Sequence, residues 1–242
     1  MSYILSIRRL TMYYFLYDDH NSRNEAIYNE NETKKEICEN CGGIQTSVKG
    51  IYNFAIKGEL CDCYDVASDF VISEKFLNVL RENSYTGFEV SETSPVKSTN
   101  MPIDEKYYLL NVTGRCGLLR KIDGELFPYC RKCHRKIGST GLVTTGVTFA
   151  ESEYDGSDIF AFKNLSNVPI VSEKIKDVLL KSKLTNIRFV ALNEWEYSDR
   201  ILKRSVFRRL EKNSVYPELI EAWIKNGVLT EQELNEQLNK RK

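Results

Sequence analysis

The feature that most limits what this chain can fold into is that one stretch of it occurs twice. Residues 72–90 (ISEKFLNVLRENSYTGFEV) and 171–189 (VSEKIKDVLLKSKLTNIRF) align without gaps at an offset of 99 positions. Each predicts one supersecondary unit. A serine, Ser73 or Ser172, stands where an N-cap accepts a backbone amide, and a glutamate follows in the first turn, where the helix dipole favours it. An apolar face then recurs at helical spacing: Phe76, Val79 and Leu80 in one copy, Ile175, Val178 and Leu179 in the other. Thr86-Gly87 or Thr185-Asn186 supplies a turn, and an alternating strand follows with Phe88 and Val90, or Ile187 and Phe189, on one side.

The likeness extends upstream. Cys38-Glu39-Asn40-Cys41 precedes Asp65-Val66 by 24 positions, and Cys130-Arg131-Lys132-Cys133 precedes Asp158-Ile159 by 25. This shared order of CxxC, Asp-aliphatic, helix and strand favours an internal duplication over two helix starts that happen to share Ser-Glu-Lys. The expected organisation is a first CxxC-containing half over 1–95, a second over 96–195 and a helical tail over 196–242, the halves packing as one globular unit. Residues 91–106 (SETSPVKSTNMPIDEK), rich in Ser, Thr and Pro, predict the linker. Strands are expected at 107–112 and, with a glycine interruption, from Leu142. In the tail, Pro217 starts a helix whose Leu219, Ile220, Trp223 and Ile224 stripe ends at a Gly227 cap, and Thr230 with Glu233 forms a capping box. Strands and helices interleave without the regular alternation of a parallel sheet, so the predicted class is α+β.

The cysteines carry the chemistry. Two thiolates separated by two residues can hold one metal ion from a tight turn, and two such pairs complete a tetrahedral shell. Cys38, Cys41, Cys130 and Cys133 are therefore the candidate ligands of a structural Zn2+. The usual zinc ribbon places its pairs about 15 to 20 residues apart. Here they are far more distant, and the site becomes plausible because two equivalent turns from two related halves can meet at one ion. Cys130 to His134 also matches the C-x-x-C-H haem-attachment signature, and a redox CxxC is a further alternative. Cys61, Cys63 and Cys116 are expected as buried small hydrophobes, although either group could replace a ligand.

No nucleophile elbow, Walker loop, H-E-x-x-H or dinucleotide fingerprint occurs, and His20 and His134 lie in polar surroundings. Four thiolates would fill the metal shell, so the chain reads as a non-enzyme. With 34 basic and 34 acidic side chains among 242 residues, no general polyanion binder is implied. The basic stretch 200–212 is more simply a solvated helix face with Ile201, Leu202, Val206, Phe207 and Leu210 inward than a nucleic-acid contact. Residues 18–39, with Asp18, Asp19, Glu25, Glu30, Glu32, Glu36 and Glu39 against Arg23, Lys34 and Lys35, form an acidic region that is more simply a solvated loop than a surface for a basic partner. The N-terminal arginines follow the short apolar stretch, reversing the secretory order, and no window approaches the apolar length of a membrane helix. A cytoplasmic location with reduced thiols is expected.

ICENCGG, PYCRKCHRK, Ser157-Asp158-Ile159-Phe160 and VPIVSEKIKDVLL with its I-R-F strand together resemble the double-CXXCG motif proteins of bacteria. MYYFLYD from Met12 resembles their opening strand, which makes the first eleven residues an extension or a misplaced start. The resemblance covers most of 12–193; His134 departs from it by standing where glycine is expected. It implies an immunity role, in which the protein binds and neutralises a cognate toxin exchanged between neighbouring bacteria, and it implies the four cysteines as metal ligands. The competing expectation is a zinc-ribbon-like nucleic-acid-binding or transcription-associated module using residues 200–212, and a third is a thiol oxidoreductase.

Overall fold

The computed structural model describes residues 12–19, 24–29, 31–99, 101–212 and 215–239; the first eleven residues, His20, Arg23 and Glu30 lie outside them. The class is α+β. In chain order the strands are β1 (Tyr13–Asp18), β2 (Glu25–Tyr28), β3 (Thr33–Ile37), β4 (Ile44–Val48), β5 (Tyr52–Lys57), β6 (Cys63–Val66), β7 (Asp69–Ser73), β8 (Phe88–Lys97) and β9 (Tyr107–Val112). There follow β10 (Gly114–Arg115), β11 (Arg120–Lys121), β12 (Val143–Thr145), β13 (Val147–Thr148), β14 (Ile159–Phe162), β15 (Leu165–Ser172), β16 (Ile187–Ala191) and β17 (Glu196–Ser198). The helices are α1 (Glu74–Glu82), α2 (Glu173–Lys181), α3 (Lys203–Glu211), α4 (Pro217–Lys225) and α5 (Glu231–Asn239).

The two alignable stretches both fold as helix, turn and strand. In one large sheet the hairpin β6–β7 runs through Ser73 into α1 and back as β8; in the other, β14–β15 runs through Ser172 into α2 and back as β16. A further strand fills the gap each helix leaves: β9 lies between β7 and β8, and β1 between β15 and β16, antiparallel to both neighbours. The Glu74 amide donates to the Lys106 carbonyl and the Glu173 amide to that of Met12. Past each helix the backbone turns left-handed at the same offsets, Ser84 and Gly87 in one stretch, Lys183 and Asn186 in the other. Both helices bury their apolar sides in one core, where Phe76, Leu77 and Leu80 share a cluster with Ile175 and Leu179.

The sheets are woven across the expected divide. β1, from the stretch 1–95, belongs to the sheet of β14–β16, and β9, from 96–195, to that of β6–β8. The first seven residues of the expected linker at 91–106 are strand, because β8 continues through Lys97. Its far end pairs in parallel with β5, a partner distant in sequence, and this pairing overrides the polar, Pro-containing composition. The tail 196–242 likewise opens as a strand, β17 against β12, before its helices. Ser73 caps α1 by accepting the Phe76 amide at 3.1 Å, whereas Ser172 holds the N-cap position without a side-chain hydrogen bond.

The structure also corrects the pairing of Asp65 with Asp158. Cys63 opposes Ile72, and Ile159 opposes Val171, so Asp62 is the residue placed like Asp158. Asp65 instead accepts the Ser68 amide across the hairpin turn. Asp62 and Asp158 make a reciprocal clasp between the two sheets. Asp62 Oδ2 accepts from the amide and hydroxyl of Thr185 at 2.7 and 3.0 Å, and Asp158 Oδ2 from those of Thr86 at 2.9 and 2.8 Å. The two aspartate amides donate back to the threonine hydroxyls. Gly87 sits beside the second clasp at φ +88°, where an added Cβ would lie 2.0 Å from the Ile159 carbonyl oxygen.

The six-stranded sheet, β2-β5-β8-β9-β7-β6, curls until its edge strands approach. Inside the curl Tyr52, Phe54, Ile56, Tyr64, Val66 and Tyr107 are buried, and the three tyrosine hydroxyls donate to the carbonyls of Val66, Glu59 and Cys61. Residues 33–48 stand out from this body as a two-stranded arm whose strands, among the described residues, pair only with each other. The tail packs through Ile137, Val206, Leu210, Leu219, Trp223 and Leu229, and Trp223 Nε1–H donates to the Ser139 carbonyl at 2.8 Å. The Pro217 start of α4, the positive φ at Gly227 and the reciprocal Thr230–Glu233 capping bonds follow the sequence expectation. Val206 and Leu210 of α3 are buried, but Leu202 is exposed, because it precedes the first helical turn instead of lying on its inward face.

Candidate metal centre

Each CxxC folds as a tight knuckle. In the first, at the tip of the arm, the Gly42 amide donates to the Cys38 carbonyl and the Cys38 amide to that of Gly43. In the second, the His134 amide donates to the Cys130 carbonyl and the Cys130 amide to that of Arg135. Gly42 has φ +65° and His134 φ +58°, so the histidine takes the left-handed position that glycine fills in the first knuckle. That substitution costs on the order of 1 kcal/mol, which the neighbouring bonds over-determine. The backbone amides of Asn40 and Cys41 approach the Cys38 sulfur, those of Lys132 and Cys133 the Cys130 sulfur, and those of Gly43 and Arg135 the sulfurs of Cys41 and Cys133.

The two knuckles face each other. Sγ of Cys38 lies 3.9 Å from that of Cys130, and Sγ of Cys41 lies 3.7 Å from that of Cys133. All four sulfurs are within 4.8 Å of one another, and all are free thiols. A disulfide needs about 2.05 Å. Tetrahedral Zn–S bonds of about 2.3 Å put sulfurs about 3.8 Å apart, which the Cys38–Cys130 and Cys41–Cys133 pairs match. The amides directed at the sulfurs would stabilise four thiolates, so the residues present fit a divalent metal.

Proton affinities divide within the cluster. Burial opposes ionisation of Cys130, but the Asn40 side chain and the Cys133 and Lys132 amides outweigh it and lower its thiol to about 6. Cys41 goes the other way, to about 12, through desolvation reinforced by the neighbouring sulfurs. A charge on one sulfur thus disfavours charge on the next, the condition a dication would relieve.

The surroundings tie both knuckles to the tail. Asn40 Nδ2–H donates to Cys130 Sγ at 3.3 Å and to Glu218 Oε1 at 3.0 Å, and that carboxylate oxygen also accepts the Arg131 amide at 3.0 Å. Glu218, buried at the start of α4, keeps a lowered pKa because these donors outweigh its desolvation. Lys132 pairs with Glu39 and Arg135 with the Ile44 carbonyl, both across the two halves. Sequence reasoning passed over Asn40 and Glu218. Asn40 lies within the first motif, but nothing local marks Glu218, 178 positions away, as its partner.

The remaining cysteines stand apart. Cys61 and Cys63 belong to the β6 end of the curled sheet, Cys63 donating to the Asn186 carbonyl at 2.7 Å, and Cys116 packs with Phe15 and Phe160. Burial raises the thiols of Cys63 and Cys116, the latter to about 12. The acidic region is mostly neutralised in place: Glu25 pairs with Lys57, Glu32 with Lys49, Glu36 with Lys34 and Glu39 with Lys132. On the basic helix, Lys203 pairs with Glu233.

Residues 55–194 match the Imm11 immunity protein family. The match takes in both hairpin–helix–strand units, together with Cys130 and Cys133, and begins after the arm that carries Cys38 and Cys41. No curated protein matches the chain. Since more than half of its length is matched, the chain belongs to the Imm11 immunity protein family.

Proposed function

We propose that this Imm11 family member is an immunity protein that neutralises a cognate bacterial toxin by binding it directly, in the cytoplasm of the producing cell and without catalysis. The family match carries this reading. In it, Cys38, Cys41, Cys130 and Cys133 hold one structural Zn2+, whose contribution is to join the arm to the second knuckle. The sulfur spacing and the converging amides support that assignment. The two hairpin–helix–strand units are then diverged copies of one unit, a reading supported by the matched strand order and the reciprocal Asp–Thr clasp.

The test is co-expression with candidate toxin domains of the kind that neighbouring genes would encode. Survival of the host and recovery of a stoichiometric complex are the expected results. Growth arrest with no complex, or salt-dependent binding to mixed DNA or RNA in its place, would sink the reading in favour of a zinc-ribbon-like module. Metal analysis should find about one zinc per chain, and Cys38→Ser and Cys130→Ser should each abolish it with a large loss of stability. A metal-free protein of undiminished stability would remove the zinc.

A further inference from the structure

The arm of residues 33–48 encloses, with the mouth of the curled six-stranded sheet, an open trough of about 1210 Å³. Lys35 and Thr46 lie on the arm side; Tyr52, Asp69, Glu92 and Asn111 lie on the sheet side. Sites for small molecules are mostly apolar and about 300–1,000 Å³. This trough is larger and open, and it combines residues bearing hydroxyl, amide or charged groups with apolar surface from Tyr28, Val48, Tyr52 and Leu109, a mixture that suits a stretch of polypeptide. Among the described residues, neither Asp69 nor Glu92 has a lysine or arginine within ion-pair distance; the Tyr52 side chain hydrogen-bonds Asp69 and Lys35 stands on the facing wall, so the sheet side presents two carboxylates without a direct ion-pair partner. Asp69 is also partly desolvated, which raises its pKa and makes a complementary cation more favourable there.

What places the arm is as informative as what lines it. Its strands are almost entirely exposed, and a two-stranded hairpin alone is marginal in water. At its base, Asn31 Nδ2–H donates to the Asn53 carbonyl and Val48 touches the sheet core. At its tip stand the thiol cluster, the Asn40–Glu218 hydrogen bond, the Glu39–Lys132 pair and the Arg135 contact to Ile44. The wall of the trough is therefore held at its far end by the metal ligands.

We propose that the trough is the docking surface for the toxin, receiving an extended basic segment of it, and that the metal at the arm's tip sets the trough's width. This rests on the immunity reading above. Binding places basic side chains in direct contact with Asp69 and Glu92, and a loaded metal site removes the entropy that a swinging arm would otherwise lose on binding.

Two measurements test it. With the toxin domain that the full chain captures, the double variant Asp69→Lys/Glu92→Lys should bind at least 100-fold more weakly than the unaltered chain while keeping its zinc content and melting temperature. Binding within threefold would overturn the docking surface and leave the immunity reading intact; failure of the unaltered chain to bind would remove both. Separately, hydrogen exchange of the full chain with and without a zinc chelator should show at least tenfold faster exchange confined to residues 33–48, with β7, β9 and α1 unchanged. Equal arm protection with and without metal, or acceleration spread evenly over both sheets, would overturn the role of the metal in setting the trough.

Discussion

Replacing the two clasp aspartates one at a time separates hydrogen bonding from burial, because they make the same bonds to equivalent threonines in different surroundings. The Asp62 side chain is 7% exposed and bears two more donors than Asp158, the Ser73 hydroxyl at 2.8 Å and Lys75 Nζ at 3.2 Å. Ser73 is fully buried and its hydroxyl already caps α1, so Asp62→Ala leaves its O–H without an acceptor as well as cutting the bonds to Thr185. A bond to a charged acceptor contributes roughly 1.5–3 kcal/mol and a stranded buried donor costs a further 1–3, with the terms overlapping. The expected loss is about 3 kcal/mol, or about 6–12 °C in melting temperature for a chain of this size. Asp158→Ala acts where the bonds are solvent-exposed, water replaces the lost acceptor, and about 1 kcal/mol is expected. Urea and thermal unfolding, followed by circular dichroism, measure both. Equal losses would refute the argument from burial. The pH dependence gives a second check. Desolvation opposes ionisation of Asp62, but the Thr185, Ser73 and Lys75 donors outweigh it and hold the carboxyl below its ordinary value. Its contribution is therefore present above the unfolded pKa of about 3.9 and disappears as pH falls through the lower folded value. The gap between wild type and Asp62→Ala should be constant from neutral pH to about 5 and should close on the acid side.

Other substitutions probe the turns, the knuckles and the tail. Gly87→Ala combines a left-handed backbone with a Cβ 2.0 Å from the Ile159 carbonyl oxygen, so it should cost roughly 3 kcal/mol or more in urea unfolding; a change under about 1 kcal/mol would mean that β14 moves freely. At the second knuckle, His134→Gly relieves a left-handed histidine and should raise stability by about 0.5–1 kcal/mol without changing zinc content, and a loss would show that the ring contact with Tyr129 outweighs the backbone strain. Trp223→Ala removes a fully buried ring and its bond to Ser139, and about 3–5 kcal/mol of tail packing should go with it. Limited proteolysis should then cut first between 199 and 217; unchanged resistance would contradict the packing role of Trp223.

Local signals carried the parts of the fold that local physics decides. The apolar spacing at Phe76, Val79, Leu80 and at Ile175, Leu179 dictated two helices with one buried side, and Pro217, Gly227 and Thr230 fixed the ends of the tail helices, because helix periodicity and capping involve neighbours a few residues apart. The CxxC spacing named four sulfurs that the folded chain does bring together. It could not name Asn40 and Glu218 as their neighbours, since that contact spans most of the chain. Strand partnership was equally out of reach. Nothing in YYFLYD says that β1 pairs with β15 and β16, and nothing in a Ser- and Pro-rich stretch says that β5 will pair with it and draw it into β8. The offset of 99 was visible in the helices, but the hairpins before them differ in length, so the equivalence of Asp62 with Asp158 emerged only from strand register. Sequence by itself determined the helices, the turns and the two CxxC thiol pairs, which depend on side-chain type at short range. The tertiary structure alone decided which strands share a sheet, where the arm stands and what surrounds the sulfurs, because those depend on backbone hydrogen bonds and burial between residues that only folding brings together.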